Sequence, residues 1–222
     1  MSPDSLTVVV GIFSAPVWTL DSSHVDTLRQ AFPDVRFLEA RTHDELADRI
    51  ADADVAFSSM VRAQAFARAS RLRWIHSSAA GVGATLFPAL VESDVVLTNS
   101  RGVQAPAIGE HILAAVLAWR RRLHLAVRRH EAGAWAQDEL SASLDPPPLA
   151  KTRALIVGMG SIGSEAARLL RAIGMQVEGL GKHEREGVHG AGRLPELVPH
   201  ADVVVITAPH TQETDGLFDA AM

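Results

Sequence analysis

The chain has 222 residues, room for one large domain or two small ones. An apolar fraction of 47%, a charged fraction of 21% and a net charge of −5 exclude general disorder and argue against a nucleic-acid binder held by phosphate contacts. The absence of cysteine excludes disulfides, thiolate catalysis and cysteine metal sites, and a reducing cytoplasm fits. The N-terminal MSPDSLTVVV lacks the basic start and apolar core of a signal peptide. The longest apolar run, 112–119, falls well short of the ~20 residues needed to cross a bilayer. The chain therefore reads as a soluble, cytoplasmic protein with neither membrane nor nucleic acid as partner.

The first hundred residues alternate between two textures. Short β-branched or apolar runs at 7–13, 35–38, 55–57, 72–76 and 95–98 read as strands. Between them, 24–32, 43–51, 64–69 and 84–91 read as helices. Such alternation predicts a parallel sheet with helices on both faces, here a small flavodoxin-like layer whose strand order is not legible. The predicted domain spans 1–98, and 99–222 forms the second.

The texture then changes. Ile108, Ile112, Ala115, Trp119, Leu123 and Ala126 recur at steps of three or four, predicting one long helix with a single apolar stripe. Gly133 is the expected stop. Arg120–Arg122 and Arg128–His130 crowd its second half, where they suit the helix dipole as a solvated end or, alternatively, hold an anion. Asp145-Pro146-Pro147-Pro148 predicts an extended spacer. Beyond it, 154–157 reads as a strand, 162–173 as a helix and 176–180 as a strand; 194–198 reads as a short helix and 202–207 as a buried strand.

The turn within this second region carries chemistry. It reads Ala154-Leu-Ile-Val-Gly-Met-Gly-Ser-Ile-Gly163, a glycine pattern with an apolar strand before it and an amphipathic helix after it. Gly158 permits the tight turn, Gly160 leaves room for a pyrophosphate, and Gly163 lets the helix pack closely on the sheet. The free N–H groups at the helix start, including those of Ser161 and Ile162, face the phosphate charge. This is a dinucleotide-binding unit. The end of the next strand decides between NAD and NADP. Where an NAD site usually carries an acid, Gly181 stands here, followed by Lys182, His183 and Arg185. A glycine followed by cations accepts a ribose 2′-phosphate, so NADP is favoured over NAD. Glu178 is the rival reading, an acid three residues earlier in the same strand.

These residues together resemble the D-isomer-specific 2-hydroxyacid dehydrogenase family, in texture its glyoxylate/hydroxypyruvate reductase-like members. Four stretches carry the resemblance, which covers nearly the whole chain: Leu72-Arg-Trp-Ile-His-Ser-Ser-Ala-Ala-Gly-Val-Gly83; Thr98 to His111, leading into the long helix; the glycine turn through Gly174 and Met175; and Ala201 to Thr214, ending in Gly216-Leu-Phe-Asp219. The resemblance implies a flavodoxin-like substrate domain followed by a Rossmann domain. It further implies hydride transfer between nicotinamide and C2 of a small 2-oxo or 2-hydroxy acid in a cleft between domains. By the same resemblance Ala80, Gly81, Val82 and Gly83 offer backbone N–H groups to the substrate carboxylate. Ala208, Pro209, Thr211 and Thr214 line the cofactor.

The family's arginine, glutamate and histidine lie downstream of the stretch matching 207–219. The expectation is an incomplete Rossmann domain and a fragment or interrupted reading frame that catalyses nothing alone. No catalytic residue is assigned. His76 reads as a strand-end residue, His111 as a helix residue and His210 as an exposed loop residue. No metal is implied by any histidine–carboxylate spacing. The alternative is a non-catalytic cofactor-binding or interaction module. A homodimer through the cofactor domain, by the long helix and the 131–150 arm, is the expected assembly.

Overall fold

A computed structural model of the chain describes residues 5–13, 19–83, 85–142 and 148–219. The chain divides into two compact units, Met1–Val103 and Gln104–Met222.

The first unit is a five-stranded parallel sheet of β1 (Thr7–Gly11), β2 (Arg36–Glu39), β3 (Val55–Ser58), β4 (Trp74–Ser77) and β5 (Val96–Asn99). Its order, β2-β1-β3-β4-β5, is that of a flavodoxin-like sheet. The expected domain end at residue 98 falls within β5. The helices α1 (Ser22–Ala31), α2 (His43–Arg49), α3 (Ala63–Phe66) and α4 (Pro88–Val91) connect the strands. The Asp21 side chain caps α1 by accepting the Ser23 N–H at 2.9 Å, and Thr42 caps α2 in the same way through Glu45. α4 is shorter than the predicted 84–91, of which Ala84 lies outside the described residues. The reason is Pro88: it holds Phe87 in an extended conformation (φ −106°, ψ 157°) and itself starts the helix. Val9, Leu46, Ile50 and Ile75 form the centre of the core.

The second unit opens with α5 (Ala105–Arg120), α6 (Leu123–Glu131) and α7 (Gln137–Ala142). The single long helix expected from periodicity is two helices. Arg121 N–H and Arg122 N–H close α5 on the carbonyls of Leu117 and Trp119, and the Arg122 carbonyl then opens α6. Arg122 itself sits at φ 53°, a left-handed position. The apolar rhythm continues across this break, so periodicity alone does not reveal it. Replacing Arg122 by glycine is expected to stabilise the unit by roughly 0.5–1 kcal/mol, because glycine adopts this φ without a Cβ clash. Urea unfolding followed by circular dichroism measures it; a loss of stability would show that the arginine side chain holds the break.

The buried face of α5 also differs from the expected stripe. Ala105, Gly109, Val116 and Arg120 are buried, whereas Trp119 is 56% exposed. Small residues set this choice, because α5 lies close against α8 (Ser161–Ala172). A Cβ on Gly109 would sit 2.8 Å from Cγ of Glu165. Gly133 ends α6 as expected: at φ 67° its N–H reaches the His130 carbonyl and that of Ala134 reaches Arg129. Of the proline spacer, Pro148 is extended (φ −48°, ψ 148°) and 145–147 lie outside the described residues.

The second sheet is parallel, with order β8-β7-β6-β9, from β6 (Arg153–Val157), β7 (Gln176–Gly181), β8 (His189–Gly190) and β9 (Val203–Ile206). The order matches the first four strands, 3-2-1-4, of a Rossmann sheet. β6 alternates strictly. Ala154 and Ile156 pack on the side of Val116, Ala167 and Leu170, while Leu155 and Val157 pack on Leu194 and Leu197 of α9 (Leu194–Leu197). Both faces of β6 are thus covered, which is why its sequence is a continuous apolar run. β9 was expected to be buried and is not. It pairs with β6 on one side, Val203–Val205 are half-buried and Ile206 is 56% exposed. Among the described residues no strand lies on its other side, and no helix is long and apolar enough to cross a membrane.

Candidate functional site

In the second unit the glycine turn lies between the ends of β7 and β9. Gly158 N–H donates to the Leu180 carbonyl and Thr207 N–H to that of Val157, each at 2.8 Å. Gly158 has φ +103°, and a Cβ there would collide with the Ala208 backbone nitrogen and lie 2.7 Å from its Cα. A Cβ on Gly163 would strike the Gly158 carbonyl oxygen. Both residues are therefore required by space, and Gly158 by conformation as well. Gly160 is different: it caps α8 at φ −82°, a conformation open to any residue.

Ser161, Ile162 and Gly163 form the opening turn of α8. The first N–H to reach back to the cap is that of Ser164, which donates to the Gly160 carbonyl at 2.9 Å. The three N–H groups before it point out along the helix axis, where a negative group is favoured. The Thr207 hydroxyl donates to the Gly158 carbonyl at 2.6 Å and fixes the end of β9 to the turn. Sequence reasoning missed Thr207. A threonine at the end of a strand carries no signal of its own until the turn beside it is known. Gly179 was missed too: a Cβ there would lie 2.8 Å from the Met159 sulfur, so its absence lets Met159 lie against β7.

Gly181 is the last residue of β7 and pairs with Gly190. Lys182 follows, and its ammonium is in an ion pair with Glu213 at 2.8 Å. That hydrogen bond holds the Glu213 carboxyl below the ordinary glutamate range. His183 is exposed. The Arg185 guanidinium donates to the Met159 carbonyl in the glycine turn at 2.8 Å. Glu178 stands opposite Leu155 in mid-strand, with Arg153 3.6 Å away.

After β9, Ala208 packs against the Gly158 turn and Pro209 follows it. The Thr214 hydroxyl accepts the Thr211 N–H at 2.8 Å and donates to the Pro209 carbonyl at 2.6 Å. Thr211 and Thr214 thus brace the turn through their own polar groups. His210 is 85% exposed at the side chain and lies 3.1 Å from Asp215. The fold therefore gathers Gly158, Gly160, Ser161, Ile162, Gly163, Gly181, Lys182, Ala208, Pro209, Thr211 and Thr214 at the carboxyl ends of β6, β7 and β9. Among the described residues, no group of three or more metal-ligating side chains is arranged to hold an ion.

In the first unit, Ala80–Gly83 form the loop after β4. Their neighbours hold the carbonyls on one side. Asn99 donates its amide to the Ala80 carbonyl at 2.6 Å, and Ser100 donates its N–H to Ala79 and its hydroxyl to Ser77. Among the described residues, no hydrogen bond engages the N–H groups of Ala80, Gly81, Val82 or Gly83. A Cβ on Gly81 or Gly83 would meet nothing within 4 Å, so the loop is open to an approaching group. His76 lies in β4 with Nδ1 2.8 Å from the Thr98 hydroxyl and Nε2 3.3 Å from that of Ser100. Trp74 donates to Thr98 and Ser100 donates to the Ser77 carbonyl. With the ring protonated at Nε2, every hydroxyl proton in that chain has an acceptor. Asn99 and Ser100 were not singled out by sequence reasoning, since their roles depend on β5 lying beside β4.

Residues 113–222 match the family model described as D-isomer specific 2-hydroxyacid dehydrogenase, NAD binding domain. A D-isomer specific 2-hydroxyacid dehydrogenase family protein from Aeromonas salmonicida superposes with a TM-score of 0.79 at 29% identity, over 98% of this chain and 68% of that one. Residues 113–222 belong to the D-isomer specific 2-hydroxyacid dehydrogenase family, and the chain as a whole is similar to its members. The glycerate dehydrogenase of Methylorubrum extorquens, a curated relative, is 23% identical over 183 residues, 81% of this chain and 57% of its own length. A dehydrogenase of the same family from Xanthobacter autotrophicus, solved with NADPH, shares the fold with a TM-score of 0.71 at 24% identity, over 98% of this chain and 68% of that one. The chain spans about three fifths of the length of the first curated relatives it matches.

Proposed function

We propose that the second unit binds NADP(H) in preference to NAD(H), and that Ala80–Gly83 take the carboxylate of a small 2-oxo or 2-hydroxy acid. The observation that carries the cofactor assignment is the start of α8: the N–H groups of Ser161, Ile162 and Gly163 precede the first helical hydrogen bond, Ser164 N–H to the Gly160 carbonyl, and lie beside the glycine turn. Those groups and Ser161 suit a pyrophosphate. Lys182 and His183, at the end of a strand that ends in Gly181, suit a 2′-phosphate. When bound, the nicotinamide supplies or accepts the hydride of a D-2-hydroxyacid dehydrogenase reaction. The residues of this chain bind and orient: α8 holds phosphate, Ala208 and Pro209 flank the dinucleotide, and Ala80–Gly83 hold the acid. We assign proton transfer to none of the described residues, and the reaction to the cytoplasm.

We assign a second copy of the chain as the partner of the α5–α6 arm. Trp119, Leu123, Val127 and Trp135 are 56%, 49%, 55% and 89% exposed there, which is more apolar area than a solvated arm ordinarily shows.

The test is titration of the 222-residue chain with NADPH and NADH, followed by nicotinamide fluorescence, together with turnover of glyoxylate and hydroxypyruvate. The expected result is binding of both cofactors, NADPH about threefold tighter because the 2′-phosphate meets exposed cations worth roughly 1 kcal/mol at most, and no turnover. Equal affinities would remove the NADP preference, absence of binding would remove the dinucleotide reading, and turnover would show that proton transfer resides in this chain.

A further inference from the structure

We propose that Glu213 is a specificity-determining residue for the dinucleotide: by holding Lys182 it supplies, from a neighbouring loop, the acid that β7 lacks at its end. The inference rests on the dinucleotide reading above. Lys182 directly follows Gly181 at the end of β7, whereas Glu213 lies in the turn beyond β9. In the sheet these strands flank β6, so the ion pair joins the two sides of the glycine turn.

Three observations make the pair a selectivity device rather than a support of the fold. First, both side chains are 65% exposed, and exposed ion pairs contribute little to stability. Second, Glu213 is delivered by a braced turn. The Thr214 hydroxyl bonds back to Thr211 and Pro209, so the backbone that carries Glu213 is braced. Third, Arg185, the other strong cation of this segment, is committed to the Met159 carbonyl. The ammonium that a 2′-phosphate would meet first thus already has a carboxylate on it. A phosphate of charge about −1.5 to −2 must compete with that carboxylate for the ammonium. The ribose hydroxyls of NAD, by contrast, donate to a carboxylate without repulsion. Glu213 therefore holds down the preference that the basic segment would otherwise give.

The experiment is NADPH and NADH titration of the wild-type chain and of Glu213→Gln, Lys182→Met and the double variant. Glu213→Gln should tighten NADPH by up to about fivefold, because it frees Lys182 from one exposed ion pair, and leave NADH within about twofold. In the Lys182→Met background the same substitution should change NADPH affinity by less than about twofold. An unchanged NADPH-to-NADH ratio in Glu213→Gln, or a full gain without Lys182, overturns the proposal while both cofactors still bind. Failure of the wild-type chain to bind either cofactor overturns the dinucleotide reading, and the proposal with it. Both sites are exposed, and protection of the amides of β6 and α8 against hydrogen exchange confirms that each variant is folded.

Discussion

Gly158→Ala should unfold the Gln104–Met222 unit or lower its stability by about 3–5 kcal/mol, leaving the first unit intact. Two costs combine. At φ +103° a Cβ is strained, and that Cβ would have to share space with the Ala208 backbone, which is fixed in turn by Thr207 on the Val157 and Gly158 carbonyls. Neither obstacle is a flexible side-chain end, so relaxation requires β9 to shift against β6. A unit of this size has about 5–15 kcal/mol in total, and the loss is a large fraction of it. Hydrogen exchange read by peptide checks the result. Peptides from β6, α8 and β7 should lose protection, while those from β1 and β3 keep theirs. Gly81→Ala is the control, since its Cβ meets nothing within 4 Å. Wild-type protection in Gly158→Ala would show that the turn adapts.

The largest expected effect in the first unit is at Asp54. Its side chain is 8% exposed and accepts the buried Thr7 N–H at 3.0 Å, with Arg71 at 3.2 Å and Arg73 at 3.7 Å. Its backbone also receives N–H groups from Arg73 and Trp74 at the start of β4. One residue thus joins β1, β3 and β4. Asp54→Ala leaves Thr7 N–H without an acceptor and should cost about 2–4 kcal/mol. Asp54→Asn keeps an acceptor and should cost about half as much. The Thr7 hydrogen bond first, then the two arginines, hold the Asp54 carboxyl below the ordinary aspartate range, against the opposing effect of burial. A depressed folded pKa stabilises above the unfolded value of about 3.9 and is lost as pH falls through the folded value. The difference in urea midpoint between wild type and Asp54→Asn should therefore be constant near neutral pH and shrink below about pH 4. A constant difference down to pH 2 would show that the charge does not contribute.

What the sequence made legible was the part ruled by local chemistry. The apolar run of β6, the glycines after it and the amphipathic α8 all announce themselves within one stretch of chain, and so does the stop at Gly133. What stayed hidden depends on residues far apart in sequence. The buried stripe of α5 is shifted by one position because Gly109 is where α8 comes close. The break at Arg122 is a single backbone angle that leaves the apolar rhythm unchanged. In the candidate site, Lys182 was legible as a cation but not as a paired one, since Glu213 is 31 positions away. Thr207 and Asn99 likewise matter through carbonyls supplied by other strands. The family resemblance points to the loops and says nothing of these bonds.

β9 has β6 on one side and, among the described residues, an unoccupied flank on the other, edged by Val203–Ile206. Because β6 is already covered on both faces, the four strands do not depend on that flank for their core. The sheet is in this sense extensible. A further parallel strand laid along β9 would lengthen it and bring its own carboxyl end to the rim where the glycine turn, Lys182 and Pro209 already stand. New side chains could then enter the site without disturbing the contacts that hold the dinucleotide turn.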